Sequence, residues 1–251
     1  MNPITDTPTI VLIHGAFADS SSWAGVITEI QNAGLIVIAP PNPLRGIAAD
    51  SAYLTSVIEQ IAGPVLLVGH SYGGALITQI GANLPNVVGL VYVAAFAPSD
   101  GETMLAIIGR FPDVAMGASL RPRRFAPAAT GEPGTEFLID TAGFHAAFCA
   151  DLPDAQAKAM AVSQRPAAVE AFATPMTGVP AWTSLPCWTV ISTADNAIHP
   201  EAQRFMARRA AATVTEIAAS HCVALSHAAE TARVICDAAF SVRPATKVVS
   251  A

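Results

Sequence analysis

Charged side chains are scarce in this sequence. Asp, Glu, Lys and Arg make up only 13% of the 251 residues, and the formal net charge is −6. Proteins that bind nucleic acids neutralise phosphates with clustered Lys and Arg, so this balance argues against a nucleic-acid partner. The one basic cluster runs from Arg121 to Arg124, is short and contains a proline. We interpret it as a solvated loop rather than as a site for an anionic substrate.

Long hydrophobic runs are also missing, although 52% of the residues are hydrophobic. No uninterrupted apolar stretch approaches the roughly 18 to 20 residues that a membrane helix requires, so we expect no membrane partner. The N-terminal segment 1–8 has no positively charged region followed by an apolar one. We therefore predict no secretory signal.

Cysteine is rare and is not arranged for metal binding. The four cysteines form no CxxC pair and lack the spacing of a metal site, so we predict no metal ion. Reduced thiols in the cytoplasm are the simplest interpretation, and the even number is also compatible with a disulfide. The cysteines are Cys149, Cys187, Cys222 and Cys236.

What the chain does contain is a series of short apolar runs that alternate with helical patterns. Buried strands of a parallel sheet, which helices cover on both faces, have this composition. The alternation predicts an α/β fold with a doubly wound, mostly parallel sheet, whose reactive groups lie at the carboxyl ends of the strands. The predicted strands are 9–13, 35–39, 65–68, 87–95, 187–192 and 213–217, and the last predicted helix runs from about 225 to 240.

The alternation is interrupted between residues 98 and 184. A stretch of this length without secondary structure is improbable inside a compact domain, so we predict an inserted, mostly helical cap. The boundaries are then 1–97 and 185–243 for the core and 98–184 for the cap, in one domain with an insertion. Residues 244–251 are predicted to form a flexible tail.

The stretch that carries the clearest chemical signal is Gly69-His70-Ser71-Tyr72-Gly73. A buried apolar strand precedes it and a helical pattern follows it, which is the setting of a G-x-S-x-G nucleophile elbow. A serine hydroxyl needs a base to remove its proton, and that base needs an acid to orient it. We therefore predict that Ser71 is a nucleophile with partners at other strand ends.

Two residues at strand ends complete the predicted triad. His221 lies in a loop directly after the last predicted strand, and Asp195 lies in the turn after strand 187–192. Asp100 follows strand 87–95 and is a second candidate for the acid, but we prefer Asp195. Seven other residues are interpreted as packing, capping or solvated groups: His14, His70, His199, His227, Asp113, Asp151 and Asp154.

Acyl transfer also needs two fixed N–H donors for the oxyanion of the tetrahedral intermediate. One is predicted to be the backbone N–H of Tyr72, at the start of the helix after the elbow. The other is assigned to Ala16 in the turn His14-Gly15-Ala16-Phe17, where the glycine allows close backbone approach.

These motifs resemble those of a group of small α/β-hydrolases that includes methyl-ester esterases, pyrethroid-type carboxylesterases and hydroxynitrile lyases. The resemblance implies a cofactor-free enzyme with the triad and the oxyanion donors named above. Lyases of this group carry a Thr at the position of Gly15 and a Lys at that of Cys222, so the resemblance favours an esterase. Related dehalogenases and epoxide hydrolases use an Asp nucleophile, which Ser71 excludes. The matching segments are 11–16, 69–74, 94–98, 195–204 and 220–221, whereas the cap matches only faintly.

The predicted function is hydrolysis of a small to medium, largely apolar carboxylic ester by a monomer or homodimer without a cofactor. Aromatic residues are expected to shape the pocket, although each cap aromatic is equally compatible with plain cap core. The triad chemistry does not distinguish esters from amides or lactones, and a low-turnover ligand-binding protein of the same fold is a further alternative. The predicted pocket residues are Phe17, Trp23, Phe144, His145 and Trp182.

Overall fold

Two β-sheets lie within the residues that the computed structural model describes, 7–126 and 133–242. The strands are β1 (Thr9–Ile13), β2 (Val37–Ile38), β3 (Val65–His70), β4 (Val87–Val93), β5 (Leu120–Phe125), β6 (Gly134–Ile139), β7 (Ala167–Ala168), β8 (Cys187–Ser192) and β9 (Thr213–Ile217). The main sheet has six parallel strands in the order β2, β1, β3, β4, β8, β9. Strands β5, β6 and β7 form a separate antiparallel sheet.

Helices connect the parallel strands and flank their sheet. They are α1 (Ala24–Asn32), α2 (Ile47–Ile58), α3 (Tyr72–Gly81), α4 (Met104–Ile108), α5 (Ala115–Ser119), α6 (Phe144–Phe148), α7 (Asp154–Ser163), α8 (Glu170–Ala173), α9 (Pro200–Arg209), α10 (Val223–Ser226) and α11 (Ala228–Ser241). Short 3-10 turns lie at Ser20–Trp23 and Ala181–Thr183. None of the helices described here is both long and apolar enough to cross a bilayer.

The main sheet is buried on both faces. Alternate side chains of a strand point to opposite faces, so Ile10 and Leu12 pack with α1 and α11, whereas Val11 and Ile13 pack with α2, α3 and α9. This arrangement confirms the predicted doubly wound, parallel α/β fold. One predicted helix, 225–240, is instead two helices, because the backbone at His227 (φ −129°, ψ 49°) is not helical.

The predicted cap segment, residues 98–184, which we call the insertion below, contains more than helices. Helices α4 to α8 lie in it, together with the antiparallel sheet β5–β6–β7 that the sequence analysis missed. Strand β5 contains a proline and three arginines, so it lacks the apolar alternation that identifies a strand. The predicted tail, 244–251, lies outside the described residues, and the boundaries between core and cap stay a prediction.

The interpretation of Arg121 to Arg124 as a loop is wrong, because these residues lie in β5. Pro122 is tolerated there since β5 is an edge strand. Arg123 faces Glu136 across the strand pair, with 2.6 Å between Nη2 and Oε1, and Arg45 contacts the other oxygen of Glu136 at 2.9 Å. Two arginines of the basic cluster, Arg121 and Arg123, are therefore paired with the acidic side chains of Asp140 and Glu136.

The turn after β3 is packed so closely that it tolerates no side chain at Gly69. A Cβ atom there would lie 2.5 Å from the carbonyl oxygen of Gly73 and 2.6 Å from the backbone nitrogen of Gly74. We therefore predict that Gly69→Ala lowers the free energy of unfolding by about 1–3 kcal/mol, as overpacking against backbone does. Urea denaturation would measure this change.

Gly117→Ala is the matched control for this substitution. Gly117 lies in α5, and nothing is within 4 Å of the position that its Cβ would occupy. We expect the urea midpoint of this variant to equal or exceed that of the parent, because alanine favours the helix by about 0.5–1 kcal/mol. Equal midpoints for the two variants would contradict the close packing of the elbow.

Candidate active site

Ser71 lies in the sharp turn between β3 and α3, where the sequence predicted it. Its backbone has φ 53° and ψ −119°, a strained conformation for a residue with a side chain. The backbone nitrogen of Ser71 donates to the carbonyl oxygen of Val93 in β4 at 3.3 Å, and its carbonyl oxygen accepts from Phe96 at 3.1 Å. The turn is thus fixed against the neighbouring strand, which holds the serine at the carboxyl end of the sheet.

His221 and Asp195 form a buried hydrogen-bonded pair. Nδ1 of His221 lies 2.7 Å from Oδ2 of Asp195, and the two side chains are 1% and 0% exposed. His221 follows β9 and Asp195 follows β8, so neighbouring parallel strands carry both residues to one edge of the sheet. With Nδ1 donating to the carboxylate, the imidazole keeps Nε2 free of a proton, as a general base requires.

Four hydrogen bonds hold the carboxylate of Asp195. Oδ1 accepts from the backbone nitrogens of Ala197 (2.7 Å) and Ile198 (2.9 Å), and Oδ2 accepts from Nε2 of Gln203 (2.8 Å) as well as from His221. Gln203 also accepts from the backbone nitrogen of Ser192 through Oε1. Gln203 is on α9, eight residues after Asp195, within the matching segment 195–204, but no role was predicted for it from the sequence.

Asp100, the second candidate for the acid, is not paired with His221. Its Oδ1 accepts a hydrogen bond from the backbone nitrogen of Gly178 at 2.9 Å, which ties the start of the insertion to its end. Of the two carboxylates considered, the structure places Asp195, and not Asp100, against His221.

The two predicted oxyanion donors lie on either side of the serine. Tyr72 is the first residue of α3, so its backbone N–H has no partner within the helix. Ala16 lines the same cavity as Ser71, and no protein group among the described residues accepts a hydrogen bond from its N–H. The next N–H, that of Phe17, is occupied, because it donates to the carbonyl oxygen of Arg165 at 3.1 Å. Of these two N–H groups, that of Ala16 is therefore the one without a protein partner among the described residues.

A small, apolar cavity of about 60 Å³ lies over Ser71 and His221. Apart from these two residues, every side chain that lines it is apolar, and five are phenylalanines. Main sheet and insertion both contribute to the wall. The other lining residues are Ala16, Phe17, Phe96, Leu105, Ile108, Met116, Leu120, Phe137, Phe148, Phe172, Ala197 and Ile198.

Of the five predicted pocket residues, only Phe17 lines this cavity. Trp23 packs on the other face of the sheet, edge-on to His70 at 6.2 Å, and Phe144 is buried behind the ring of Phe148. His145 donates from Nε2 to the carbonyl oxygen of Leu152 on the surface, and Trp182 donates to that of Pro98. These four assignments are corrected, because the short helices and turns that carry them point the side chains away from Ser71.

Asp151, interpreted as a solvated or capping residue, is exposed but also makes a contact that this interpretation did not include. Its carboxylate accepts hydrogen bonds from the backbone nitrogen and the hydroxyl of Ser220, directly before His221. The sequence offered no signal for this contact, because it joins residues 69 positions apart.

His14 and His70 are buried packing residues, as predicted. His14 accepts from the backbone nitrogen of Asn42 through Nε2 (2.9 Å), and His70 donates from Nε2 to the carbonyl oxygen of His221 (2.9 Å). Burial lowers the pKa of His14 to about 4 and that of His70 to about 3, where the neighbouring ring of His221 adds to the effect. Both rings are therefore neutral in the fold at neutral pH.

The cysteines are all free thiols. Cys149, Cys187 and Cys222 are buried, and Cys236 is partly exposed. Within residues 7–126 and 133–242, no group of three or more His, Cys, Asp or Glu side chains is arranged to hold a metal ion.

Comparison with known sequences identifies a family over most of this chain and individual relatives over less than half of it. The sequence pattern of the alpha/beta hydrolase family matches residues 10–234. A carbendazim hydrolyzing esterase from Nocardioides sp. (strain SG-4G) is 30% identical over 111 residues, or 39% of this chain and 46% of that protein. A probable hydrolase R7 from Phoma sp. (strain ATCC 20986 / MF5453) is 29% identical over 111 residues, or 38% and 46%. The alignments thus span about half the length of each relative.

Solved structures with the same fold cover nearly the whole chain. A pyrethroid hydrolase from Sphingobium faniae JZ-2 has a TM-score of 0.75 at 20% identity, with 93% of this chain and 98% of that one covered. Polyneuridine aldehyde esterase has a TM-score of 0.78 at 18% identity, with 92% and 99% covered. An extracellular alpha/beta-hydrolase from a Paenibacillus species has a TM-score of 0.69 at 20% identity, with 92% and 98% covered. At identities of 18–20%, these TM-scores establish a shared fold and nothing more.

The buried histidines predict how stability depends on pH. Their pKa values in the fold lie below the ordinary value of 6.5, so the unfolded chain binds more protons than the native protein below pH 6.5. Stability from these groups is complete above pH 6.5 and is lost as the pH falls towards 4 for His14 and 3 for His70. The loss is about 1.4 kcal/mol per pH unit for each group.

We predict that His70→Gln removes one of these contributions. Urea denaturation between pH 6.5 and pH 4.5 should give a slope that is smaller than that of the parent by about 1.4 kcal/mol per pH unit. A parental slope in His70→Gln would show that His70 takes up its proton in the fold.

Proposed function

This chain belongs to the alpha/beta hydrolase family, and we propose that it is a serine esterase that cleaves small to medium, apolar carboxylic esters through an acyl-enzyme intermediate. The observation that carries the proposal is one juxtaposition. Ser71, on a strained turn, and His221, paired with a buried Asp195, line the same apolar cavity. The esterase named among the relatives supports the same reaction class.

In the proposed mechanism, Ser71 attacks the ester carbonyl while His221 accepts its proton at Nε2. The oxyanion of the tetrahedral intermediate receives hydrogen bonds from the backbone N–H groups of Ala16 and Tyr72. His221 then gives the proton to the leaving alcohol, and an acyl group remains on the serine. A water molecule, deprotonated by His221, then attacks the acyl carbonyl; the bond to Oγ of Ser71 breaks, His221 returns the proton to Oγ, and the acid is released. Asp195 stabilises the imidazolium in both halves of the reaction.

The apolar wall supports a neutral substrate. A charged group in this cavity would lose its hydration without an opposite charge to pair with, which costs several kcal/mol. The phenylalanine-rich lining suits hydrocarbon or aromatic groups on the ester.

Two features of the site disfavour the lyase alternative. A Cβ atom at Gly15 would lie 2.7 Å from Cβ of Ser71, so the threonine of the lyases does not fit without rearrangement. Cys222 replaces their lysine, and a thiol carries no positive charge in either protonation state. Burial raises the pKa of this thiol well above the usual value, so the group is neutral at neutral pH.

We predict that Ser71→Ala abolishes hydrolysis of 4-nitrophenyl butyrate, with kcat/KM at least about 10³-fold lower because the nucleophile is lost. Release of 4-nitrophenol at 400 nm measures the rate. We expect the control variant Ser56→Ala to keep the parental rate, because Ser56 is exposed and its hydroxyl bonds only its own helix.

In the parent, a burst of 4-nitrophenol followed by steady turnover is expected. Binding of product without turnover would favour the ligand-binding alternative, and full activity in Ser71→Ala would contradict the assignment.

A second prediction concerns charge on the acyl group. Methyl hexanoate and monomethyl adipate have chains of equal length, but the latter ends in a carboxylate. We expect kcat/KM for monomethyl adipate to be at least about 10²-fold lower, since burying an unpaired carboxylate costs several kcal/mol. Acid release in a pH-stat measures both rates, and similar values would show that the acyl group does not enter the apolar cavity.

A further inference from the structure

One short stretch of the insertion touches His221 from two sides. The ring of Phe148 lies 5.3 Å from that of His221 and lines the cavity, and three residues later Asp151 binds the backbone beside His221. We infer that Asp151 is a positioning residue that holds the loop of the proposed base. This inference rests on the proposed function.

The hydrogen bonds of Asp151 reach both sides of His221. Oδ2 accepts from the backbone nitrogen of Ser220 at 2.9 Å, and Oδ1 accepts from the hydroxyl of the same residue. That hydroxyl oxygen in turn accepts from the backbone nitrogen of Cys222 at 3.3 Å. The carboxylate of Asp151 therefore fixes the backbone N–H of Ser220 directly. It fixes the backbone N–H of Cys222 indirectly, through the hydroxyl of Ser220.

Asp151 is held in its ionised form. Burial alone would raise its pKa, but the hydrogen bonds from Ser220 outweigh this effect and lower the pKa below its usual range. Nδ1 of His227 lies 3.9 Å from the carboxylate. Hydrogen bonds to an ionised acceptor are about twice as strong as neutral ones, so this contact restrains the loop firmly.

The other contacts of His221 do not restrain the backbone on either side of it. Asp195 orients the imidazole and His70 bonds the carbonyl oxygen, but neither restrains the N–H groups on either side of His221. Without Asp151, Ser220 and Cys222 would turn towards water and the loop could shift. A displacement of about 1 Å in a catalytic group costs about 10²-fold in rate. Asp151 does not line the cavity, so substrate binding should be unaffected.

The test compares Asp151→Ala, Asp151→Asn and Asp154→Ala. Asp154 is a matched control, because it lies three residues away, is 65% exposed and pairs with Lys158 at the surface. With 4-nitrophenyl butyrate, we expect Asp151→Ala to lower kcat about 10–100-fold with KM within about threefold of the parent. Asp151→Asn should recover most of the rate, since its carboxamide can still bond the N–H and the hydroxyl of Ser220. Asp154→Ala should match the parent.

A second readout does not depend on ester turnover. A fluorophosphonate reacts with a serine only when its base is in place, so Asp151→Ala should be inactivated about 10–100-fold more slowly than the parent. If the parent reacts with the fluorophosphonate but cleaves no ester, the proposed function fails while the inference about Asp151 is still tested by the inactivation rates. If Asp151→Ala does not fold, as judged by its thermal unfolding curve, Ser220→Ala removes the bridging hydroxyl and should slow inactivation in the same way.

Three results would overturn the inference. They are parental kcat and inactivation rate in folded Asp151→Ala, a rise in KM with unchanged kcat, and a loss in Asp151→Asn as large as in Asp151→Ala. The last would assign the effect to the charge rather than to the hydrogen bonds.

Discussion

The strained backbone of Ser71 depends on the parallel sheet beneath it. A residue with φ 53° would relax if its neighbours could move, at a gain of about 1–3 kcal/mol. They cannot move, because β3 is hydrogen-bonded to β1 on one side and to β4 on the other, and nearly every residue of α3 is buried. Gly69 and Gly73 allow strand and helix to approach at the turn without side-chain atoms between them. The proposed nucleophile is therefore presented by a rigid part of the molecule.

The proposed base and acid are fixed by contacts from separate parts of the chain. Asp195 is held by the backbone of its own turn and by Gln203 of α9, and His221 is held by Asp195, by His70 and, through Ser220, by the insertion. The insertion thus supplies the cavity wall through Phe148 and also a restraint on the catalytic loop. Because these groups are buried among apolar side chains, each polar contact is stronger than it would be in water.

The sheet domain could be predicted from the sequence because its signals are local. All parallel strands but β9 are short, mostly apolar runs, and the six predicted strands match the six of the main sheet. The sheet of the insertion could not be predicted, since β5 owes its place to cross-strand partners such as Glu136 rather than to apolar alternation. The break at His227 was missed for a similar reason, because one non-helical residue leaves the apolar periodicity of the flanking helices unchanged.

The sequence by itself determined the elbow and its place between strand and helix, because G-x-S-x-G after an apolar run is a local pattern. It also indicated Asp195 and His221, since residues that follow parallel strands converge at one edge of the sheet. Only the tertiary structure decided which side chains surround Ser71. Phe172 lines the cavity whereas Trp23 lies beyond the sheet, and Asp151 reaches the loop of His221 from the insertion. Such contacts join distant segments through side-chain direction and packing, which no short stretch of sequence encodes.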